Sequence, residues 1–306
     1  MADMTASAPA SQSTWWRRNQ LKLAPLLFLI PGALFFIVYV IFPIFQSFQI
    51  SFFEWDGLGE REYVGLRNYE ELWYDDAFYT SLWNNLLWLV LYLLAIPAGL
   101  FIALFLNQNV VGIRLYKSLF FFPFVISQVV VGLVFSWFYD PTFGLFNEFI
   151  GIFGFEPISV LGTPEYVTYG IIAAGLWPQT AYCMILYLTG LNAVDPEQIE
   201  AGRLDGAKGA RMLWHIILPQ LRPATFIAFV VTIIGALRSF DLISIMTAGG
   251  PFGESRVLAF YMFEVALSEY GFRMGYGAAI AVVLFLIMMV YITFFLTKMY
   301  RDEKGV

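Results

Sequence analysis

Residues 23–42 read LAPLLFLIPGALFFIVYVIF, an uncharged stretch that contains no polar side chain except the hydroxyl of Tyr39. A helix of about 20 such residues spans the hydrocarbon core of a bilayer. Backbone N–H and C=O groups find no water in lipid, so only helices and closed barrels can cross it, and this stretch is too long for a barrel strand. The stretch therefore predicts a transmembrane helix.

Five further apolar blocks follow along the chain, separated by charged residues. The six predicted helices cover about residues 23–45, 82–106, 118–139, 166–190, 223–242 and 275–297. We expect an all-α, polytopic membrane protein with a six-helix domain over 23–298, an N-terminal tail over 1–22 and a C-terminal tail over 299–306. Arg238 and Asp241 fall in the last turns of the fifth helix, where they could pair, act at a gate or, for Arg238, bind an anionic group.

Composition supports the membrane assignment: 59% of the 306 residues are hydrophobic and only 13% are charged, whereas soluble chains carry about 25% charged residues. A soluble enzyme, a disordered chain and, at a formal net charge of −6, a nucleic-acid-binding module are excluded. The single cysteine, Cys183, and the single histidine, His215, exclude a disulfide framework and a metal site built from several such residues. The first 22 residues are polar, so we expect no secretory signal peptide.

The basic residues fix the orientation, because lysine and arginine concentrate on the cytoplasmic side of a membrane protein. Twelve of the 17 basic residues share one side of the predicted topology: Arg17, Arg18, Lys22, Arg114, Lys117, Arg203, Lys208, Arg211, Arg222, Lys298, Arg301 and Lys304. The loops on the other side carry 15 of the 23 acidic residues. Both termini are therefore predicted to be cytoplasmic.

Residues 191–222, here called the inter-helix segment, read LNAVDPEQIEAGRLDGAKGARMLWHIILPQLR. Asp195 followed by Pro196 predicts a capped helix start, and Gly206 suits a left-handed helix end near Asp205. A second short helix is predicted from about Ala210 to Ile217, before Pro219. From the residues alone, the segment is either an interfacial connector or a docking element for a cytoplasmic partner.

Several strings carry a family resemblance. EAG (200–202), Gly206 and IxLP (216–219) resemble the EAA motif of ABC importer permeases, with Gly202 in place of the second alanine. FFEWDG…YVGLRNYEEL (52–72), SFD (239–241), TAGGP (247–251) and GYGAA (275–279) resemble further motifs of the maltose-transporter type. The resemblance covers about residue 24 to the C-terminus and implies a type I ABC importer permease fold and a binding-protein-dependent carbohydrate importer.

The resemblance also implies partners. They are a second permease subunit, an ATP-binding cassette ATPase dimer, an extracytoplasmic solute-binding protein docking on the acidic loop 54–76 and the TAGGP loop, a carbohydrate substrate and membrane lipid. The chain has no phosphate-binding loop, so it is expected not to be an enzyme: the partner ATPase would bind MgATP, and no cofactor is expected in this chain. The expected location is the plasma membrane of a bacterium or archaeon, which is the inner membrane in a Gram-negative cell. ATPase-coupling residues implied by the motif are Glu200, Ala201, Gly202, Arg203, Asp205, Gly206, Leu218 and Pro219.

The substrate-binding residues implied by the resemblance are Gln179, Tyr182, Thr232, Ala236 and Ser239. Gln179 and Tyr182 are three residues apart and so share one helix face. The alternative for each polar residue is a hydrogen bond between membrane helices. Sugar identity stays open.

Two other function classes remain to be weighed. A secondary transporter or channel driven by an ion gradient would place acidic or histidine residues inside the helices, and only Asp241 near a helix end fits that description. A membrane enzyme would require a catalytic cluster, which one histidine, one cysteine and no paired carboxylates in the helices do not provide.

Overall fold

The computed structural model describes residues 15–108, 111–268 and 272–304. The chain divides into two units, residues 1–49 and residues 50–306, and each is described by itself. Helices make up nearly all of the regular structure in the described residues, so the all-α fold class predicted from the sequence is confirmed.

The first unit is helical throughout its described part. It consists of α1 (Trp15–Phe36), a π-helical turn (Ile37–Ile41) and α2 (Phe42–Ile50). The helix predicted over 23–45 therefore extends further at both ends, and part of the predicted tail 1–22 is helical; residues 1–14 of that tail lie outside the described residues. No glycine or proline stands between residues 44 and 50 to end the helix.

The second unit begins with a small hairpin and continues as helices. Strands β1 (Phe53–Glu54) and β2 (Glu62–Tyr63) pair antiparallel, with Phe53 opposite Tyr63. The helices that follow are α3 (Arg67–Trp73), α4 (Asp76–Tyr92), α5 (Ala95–Leu106), α6 (Ile113–Val125), α7 (Gln128–Phe138), α8 (Leu145–Ile152), α9 (Pro164–Asn192), α10 (Pro196–Leu204), α11 (Ala210–Met212), α12 (Leu218–Gln220), α13 (Arg222–Leu237), α14 (Asp241–Met246), α15 (Leu258–Phe263) and α16 (Met274–Lys304). Two π-helical turns, Leu213–Ile217 and Glu264–Ser268, lie after α11 and α15.

Among the described residues, four helical stretches are long and apolar enough to cross a membrane, or six if each of two bent helix pairs forms one span. The four are Ala24–Ile50, Asp76–Leu106, Pro164–Asn192 and Met274–Lys298. The bent pairs are α6 with α7, at 100°, and Ala210–Gln220 with α13, at 72°.

The third predicted helix, over 118–139, is not continuous. Ile126 adopts an extended conformation (φ −78°, ψ 140°) that ends α6. Ser127 then caps α7, since its hydroxyl accepts the N–H of Val130 at 3.4 Å. A serine in an apolar run thus starts a second helix instead of continuing the first.

The fifth predicted helix ends earlier than expected, at Leu237 instead of residue 242. Phe240 leaves helical geometry (φ −141°, ψ −54°), and α14 starts at Asp241. Arg238 and Asp241 therefore flank a break in the chain, and within the described residues they form no ion pair with each other. The break removes the helical spacing on which the expected pairing depended.

Close packing of α5 on α9 forms one part of the core. A Cβ added at Gly99 of α5 would lie 2.6 Å from the Cβ of Cys183 and 2.7 Å from the backbone nitrogen of Met184 in α9. The buried side chains around this contact are Ala95, Ile96, Ala103, Leu106, Cys183, Met184 and Tyr187. Glycine is required at residue 99 because the two helix backbones approach too closely for a side chain.

We predict that Gly99→Ala lowers the free energy of unfolding by about 1–3 kcal/mol, the usual cost of overpacking a close helix contact. Thermal melting of the purified protein in detergent measures the change. Gly151→Ala in α8 is the matched control, because a Cβ there meets no atom within 4 Å. Equal melting temperatures for the two variants would contradict this account of the α5–α9 contact.

Candidate functional site

The inter-helix segment begins with a capped helix. Asp195 Oδ1 accepts the N–H of Glu197 at 2.9 Å, which satisfies a free donor at the start of α10. At the same residue, the backbone N–H of Asp195 donates to Oε1 of Gln220 at 3.0 Å. This second bond ties the start of α10 to the end of the second arm of the segment, next to α13.

The end of α10 is held by two backbone hydrogen bonds around Gly206. Gly206 has φ +80°, its N–H donates to the carbonyl of Arg203 at 3.1 Å, and the N–H of Ala207 donates to the carbonyl of Gly202 at 2.8 Å. This pair of bonds is the Schellman motif, which needs a left-handed residue after the helix. The bend between the two arms is therefore a defined turn, as the sequence predicts.

Gly202, the departure from the motif, has a packing reason. It is buried, and a Cβ added there would collide with Cδ1 of Ile216 and approach Cε of Met212 at 3.5 Å. Glycine thus lets the second arm lie directly on α10. Glycine lowers helix propensity by about 1 kcal/mol, and the closer contact between the two arms offsets part of that cost.

The predicted coupling residues divide between an exposed and an inward face. Glu200, Ala201, Arg203, Asp205, Gly206 and Pro219 are exposed, whereas Gly202 is buried and Leu218 is half-buried against the core that includes α9 and α13. Ile199 also packs against that core, so its side chain does not offer an apolar contact to a partner protein. Leu204 does, since it is 89% exposed.

Trp214 is a residue that sequence reasoning missed. Its side chain is 67% exposed in the second arm of the segment. A large exposed aromatic side chain often marks a protein contact. The available signal was a tryptophan within a short, polar-flanked helix, but that pattern also fits an interfacial anchor.

The second candidate region is a cavity of about 340 Å³ between α4, α9, α13 and α14, here called the central cavity. Its lining residues are Trp88, Tyr92, Gln128, Gln179, Val231, Ile234, Gly235, Arg238, Ser239, Phe240, Asp241 and Leu242. Amide, hydroxyl, guanidinium and carboxylate groups lie beside aromatic rings there. This mixture of groups is the kind that binds a polar ligand with apolar faces.

Two of the five predicted substrate residues, Gln179 and Ser239, line the central cavity. Thr232 and Ala236 are fully buried between helices, and Thr232 accepts a hydrogen bond from Nε2 of Gln179 at 2.8 Å. Tyr182 lies against α6, with its ring centroid 5.3 Å from that of Phe124. The structure thus brings Gln179, Thr232 and Ser239 to one region and places Tyr182 at another helix contact.

Two buried polar atoms among the residues that line the central cavity lack a hydrogen-bond partner in the part of the chain that the structure describes. They are Nε1 of Trp88 and Oε1 of Gln128. An unpaired buried polar group costs about 1–3 kcal/mol, so a ligand group that hydrogen-bonds either atom would gain free energy. The sequence analysis had no signal for Trp88, because its position beside the cavity follows only from the packing of α4 on α13.

The third candidate region is formed by two loops at the other end of α9 from the inter-helix segment. Nδ2 of Asn84 donates to the carbonyls of Glu254 and Arg256, at 2.6 and 2.8 Å. The hydroxyl of Thr168 in α9 donates to the Glu254 carbonyl at 3.1 Å. The loop that contains TAGGP is thus clamped to α4 and α9, and it presents Phe252 with 94% of the side chain exposed.

The hairpin loop presents a second exposed apolar residue, Leu58, beside acidic side chains. Oδ1 of Asp56 accepts the N–H groups of Gly59 and Leu58 at 2.8 and 2.9 Å. These two bonds lower the pKa of Asp56 and keep the carboxylate charged. The loop therefore holds a fixed negative charge next to Leu58.

Asp75 joins three helices at the same end of α4 as the hairpin. Its Oδ2 accepts hydrogen bonds from the hydroxyls of Tyr261 and Tyr276, each at 2.5 Å, while its Oδ1 caps α4 through the N–H of Ala77. Burial and the bond to Asp75 raise the pKa of Tyr261. One carboxylate thus joins α4, α15 and α16. No group of three or more His, Cys, Asp or Glu residues that could hold a metal ion occurs among the described residues.

Comparison with known proteins gives consistent matches. A family model described as "binding-protein-dependent transport system inner membrane component" matches residues 95–302. The probable ABC transporter permease protein YurN of Bacillus subtilis is 35% identical over 88% of this chain and 93% of its own length. The trehalose/maltose transport system permease protein MalF of Thermococcus litoralis is 30% identical over 86% and 89%. A crystal structure of a bacterial ABC transporter that imports alginate has the same fold, with a TM-score of 0.81 and 21% identity over 94% of this chain and 98% of that one.

We predict that Asp195→Ala speeds hydrogen exchange of the amides of residues 197–204 by about fivefold or more, because loss of an N-cap costs about 1 kcal/mol of helix stability. Hydrogen–deuterium exchange with mass spectrometry measures the rate. Asp205→Ala, at the exposed other end of the same helix, is the control and should leave exchange near the parent value. Unchanged exchange in the Asp195 variant would show that α10 does not depend on this cap.

Proposed function

This chain belongs to the family of binding-protein-dependent transport system inner membrane components, as the motif resemblance predicted, and from that premise we propose that it is a permease subunit of an ATP-driven carbohydrate importer. The observation that carries the proposal is the capped, exposed inter-helix segment, whose first helix is hydrogen-bonded to Gln220 just before α13. An ATP-driven importer subunit without a phosphate-binding loop of its own receives work from another protein, and this segment has the form of a contact for one.

The inter-helix segment is the proposed contact for a separate ATPase, which would bind MgATP. Leu204 and Trp214 each offer an exposed apolar side chain, and the charged residues Glu200, Arg203 and Asp205 are exposed close to Leu204 in the chain. An apolar centre with a polar rim is the usual anatomy of a protein interface. The excess of basic residues on this side supports placing the segment, and both termini, in the cytoplasm.

Force on the segment would pass directly into two membrane helices. Gln220 links the start of α10 to the second arm, and Leu221, at the entry to α13, is fully buried. A Cβ at Gly190, near the end of α9, would lie 2.9 Å from Cδ2 of Leu221 and 3.0 Å from the Cβ of Ala224. Because α9 and α13 also line the central cavity, a shift of the segment would alter the cavity, which is the requirement for alternating access.

The central cavity is the proposed place for the sugar. Gln179, Gln128, Arg238 and Asp241 could hydrogen-bond hydroxyl groups, and Trp88 and Tyr92 offer aromatic surface for C–H faces. A carbohydrate substrate is also supported by the similarity to the trehalose/maltose transport system permease of Thermococcus litoralis. A second permease subunit would complete the path, and further contacts of the substrate with Tyr182, Thr232 or Ala236 follow from the resemblance.

The two exposed loops opposite the inter-helix segment are the proposed docking surface for an extracytoplasmic solute-binding protein. Phe252 and Leu58 would be the apolar anchors, each 94% exposed. The fixed charge of Asp56 and the acidic side chains of Glu54, Glu60 and Glu62, which line a cavity beside the hairpin, would favour a basic surface on the binding protein.

Gly206→Pro and Glu200→Ala are expected to uncouple ATP hydrolysis from uptake while leaving membrane insertion intact. Proline cannot adopt the positive φ of Gly206, and Glu200 is exposed where the ATPase would bind. Sugar uptake per ATP hydrolysed, measured in proteoliposomes that contain the full importer, should fall several-fold. Gly154→Pro, at another positive-φ glycine (φ +81°) outside the segment, is the control. Unchanged coupling in both segment variants would count against the proposal.

Gln179→Ala and Ser239→Ala are expected to reduce initial uptake at subsaturating sugar by about two- to tenfold, the effect of losing one hydrogen bond of about 0.5–1.5 kcal/mol. Assembly with the ATPase, checked by co-purification, should be normal. Thr189→Ala in α9 is the control, since that hydroxyl only bonds the carbonyl of Ile185. Tyr182→Ala tests whether the site extends to α6, and normal uptake would remove Tyr182 from it. Normal uptake in both the Gln179 and Ser239 variants would show that the central cavity is not the sugar-binding site.

A further inference from the structure

Helix α8 has two unlike faces, and one of them is covered by nothing in the described chain. Phe146 packs on the rings of Phe138 and Tyr139, with centroids 6.0 and 5.6 Å apart. A neighbouring face, here called the α8 stripe, consists of Leu145, Phe149, Ile152 and the following residue Phe153, all between 60% and 79% exposed. Spacings of three and four residues place these side chains along one side of the helix.

The α8 stripe is held in a fixed orientation by Asn147 on the inward side. Its Nδ2 donates to the carbonyls of Asp140 and Ile158, at 3.2 and 3.1 Å, and its Oδ1 accepts the N–H of Ile158 at 2.8 Å. Asn147 therefore closes the loops on both sides of α8. The exposed apolar face is thus a built surface and not the result of an unanchored loop.

The position of α8 along the membrane normal follows from its contact with α9. The hydroxyl of Tyr139, just before α8, donates to the carbonyl of Gly170 at 3.2 Å. Gly170 is six residues into α9, roughly 9 Å from its start, and the inter-helix segment lies at the other end of that helix. Tyr166, Tyr169 and Trp137 are exposed at the same level, as in the aromatic belt at a membrane boundary.

We propose that α8 lies in the boundary between headgroups and acyl chains of the leaflet opposite the inter-helix segment, with the α8 stripe inserted among the lipids. The preceding helix α7 also has an exposed apolar face, formed by Val130, Leu133, Val134 and Trp137. The stripe itself carries no lysine, arginine or amide that a polar interface rim would use, and the one charged side chain that borders it is the exposed Glu148. Acyl chains match such a surface, because they require contact but no hydrogen bonds.

The lipid contact would position the bent helix pair next to it. α7 leads into α8 through Tyr139 and Asp140, and α7 meets α6 at 100°. Anchoring α8 would fix the depth in the membrane of the end of α7 that adjoins it. The break at Ile126 lets α6 run in a different direction from α7. This role is independent of the sugar and of the ATPase contact.

Site-directed spin labelling tests the proposal in the assembled importer in nanodiscs. Phe149→Cys and Ile152→Cys would each be labelled; Cys183 is fully buried, and the labelled parent measures its background. Leu58→Cys, on the exposed hairpin, is the aqueous control, and all measurements are made without the solute-binding protein, for which Leu58 is a proposed contact. We expect high collision rates with oxygen, and rates with a water-soluble nickel chelate several-fold lower than at Leu58.

Nickel accessibility equal to that at Leu58 at both α8 positions would place the stripe in water and overturn the proposal. Exclusion of both oxygen and nickel would show that another protein covers the stripe, which overturns it as well. Two labelled positions keep the test decisive if one variant does not assemble.

Discussion

The hydrogen bond from the backbone N–H of Asp195 to the side chain of Gln220 is the contact on which the functional account depends. It closes the two arms of the inter-helix segment into one piece, which the Asp195 cap, the Schellman bonds at Gly206 and the fit of Gly202 against Ile216 stiffen further. A flexible connector would absorb a push within its own backbone. A closed piece that is packed at Leu221 against the end of α9 passes the push to the membrane helices instead.

The lipid environment explains why the sequence predicts the location of the helices but not their breaks. Long uncharged runs must be helical in lipid, so the location of each span follows from composition. The breaks depend on single residues: Ser127 caps a new helix inside an apolar run, and Phe240 leaves helical geometry next to Arg238. No hydrophobic periodicity marks either residue, because each break depends on the backbone conformation of one or two residues.

The candidate sites show the same division. Caps and turns depend on local chemistry, so Asp195, Gly206 and the bend between the arms could be predicted from the chain. The inward position of Ile199, the exposure of Trp214 and the presence of Trp88 beside the central cavity depend on which helices pack together. Helical spacing places Gln179 and Tyr182 on one face of α9. The spacing does not reveal that Gln179 contacts Thr232 of α13 whereas Tyr182 contacts Phe124 of α6, because that depends on which helices pack beside α9.

The most direct test of the central claim is photo-crosslinking from residue 204 in native membranes, with a photoreactive amino acid in place of Leu204. This side chain is 89% exposed at the tip of α10. If the inter-helix segment receives work from a separate ATPase, the main adduct will contain this chain and an ATP-binding cassette subunit. Adducts confined to lipid or to this chain itself would contradict the account.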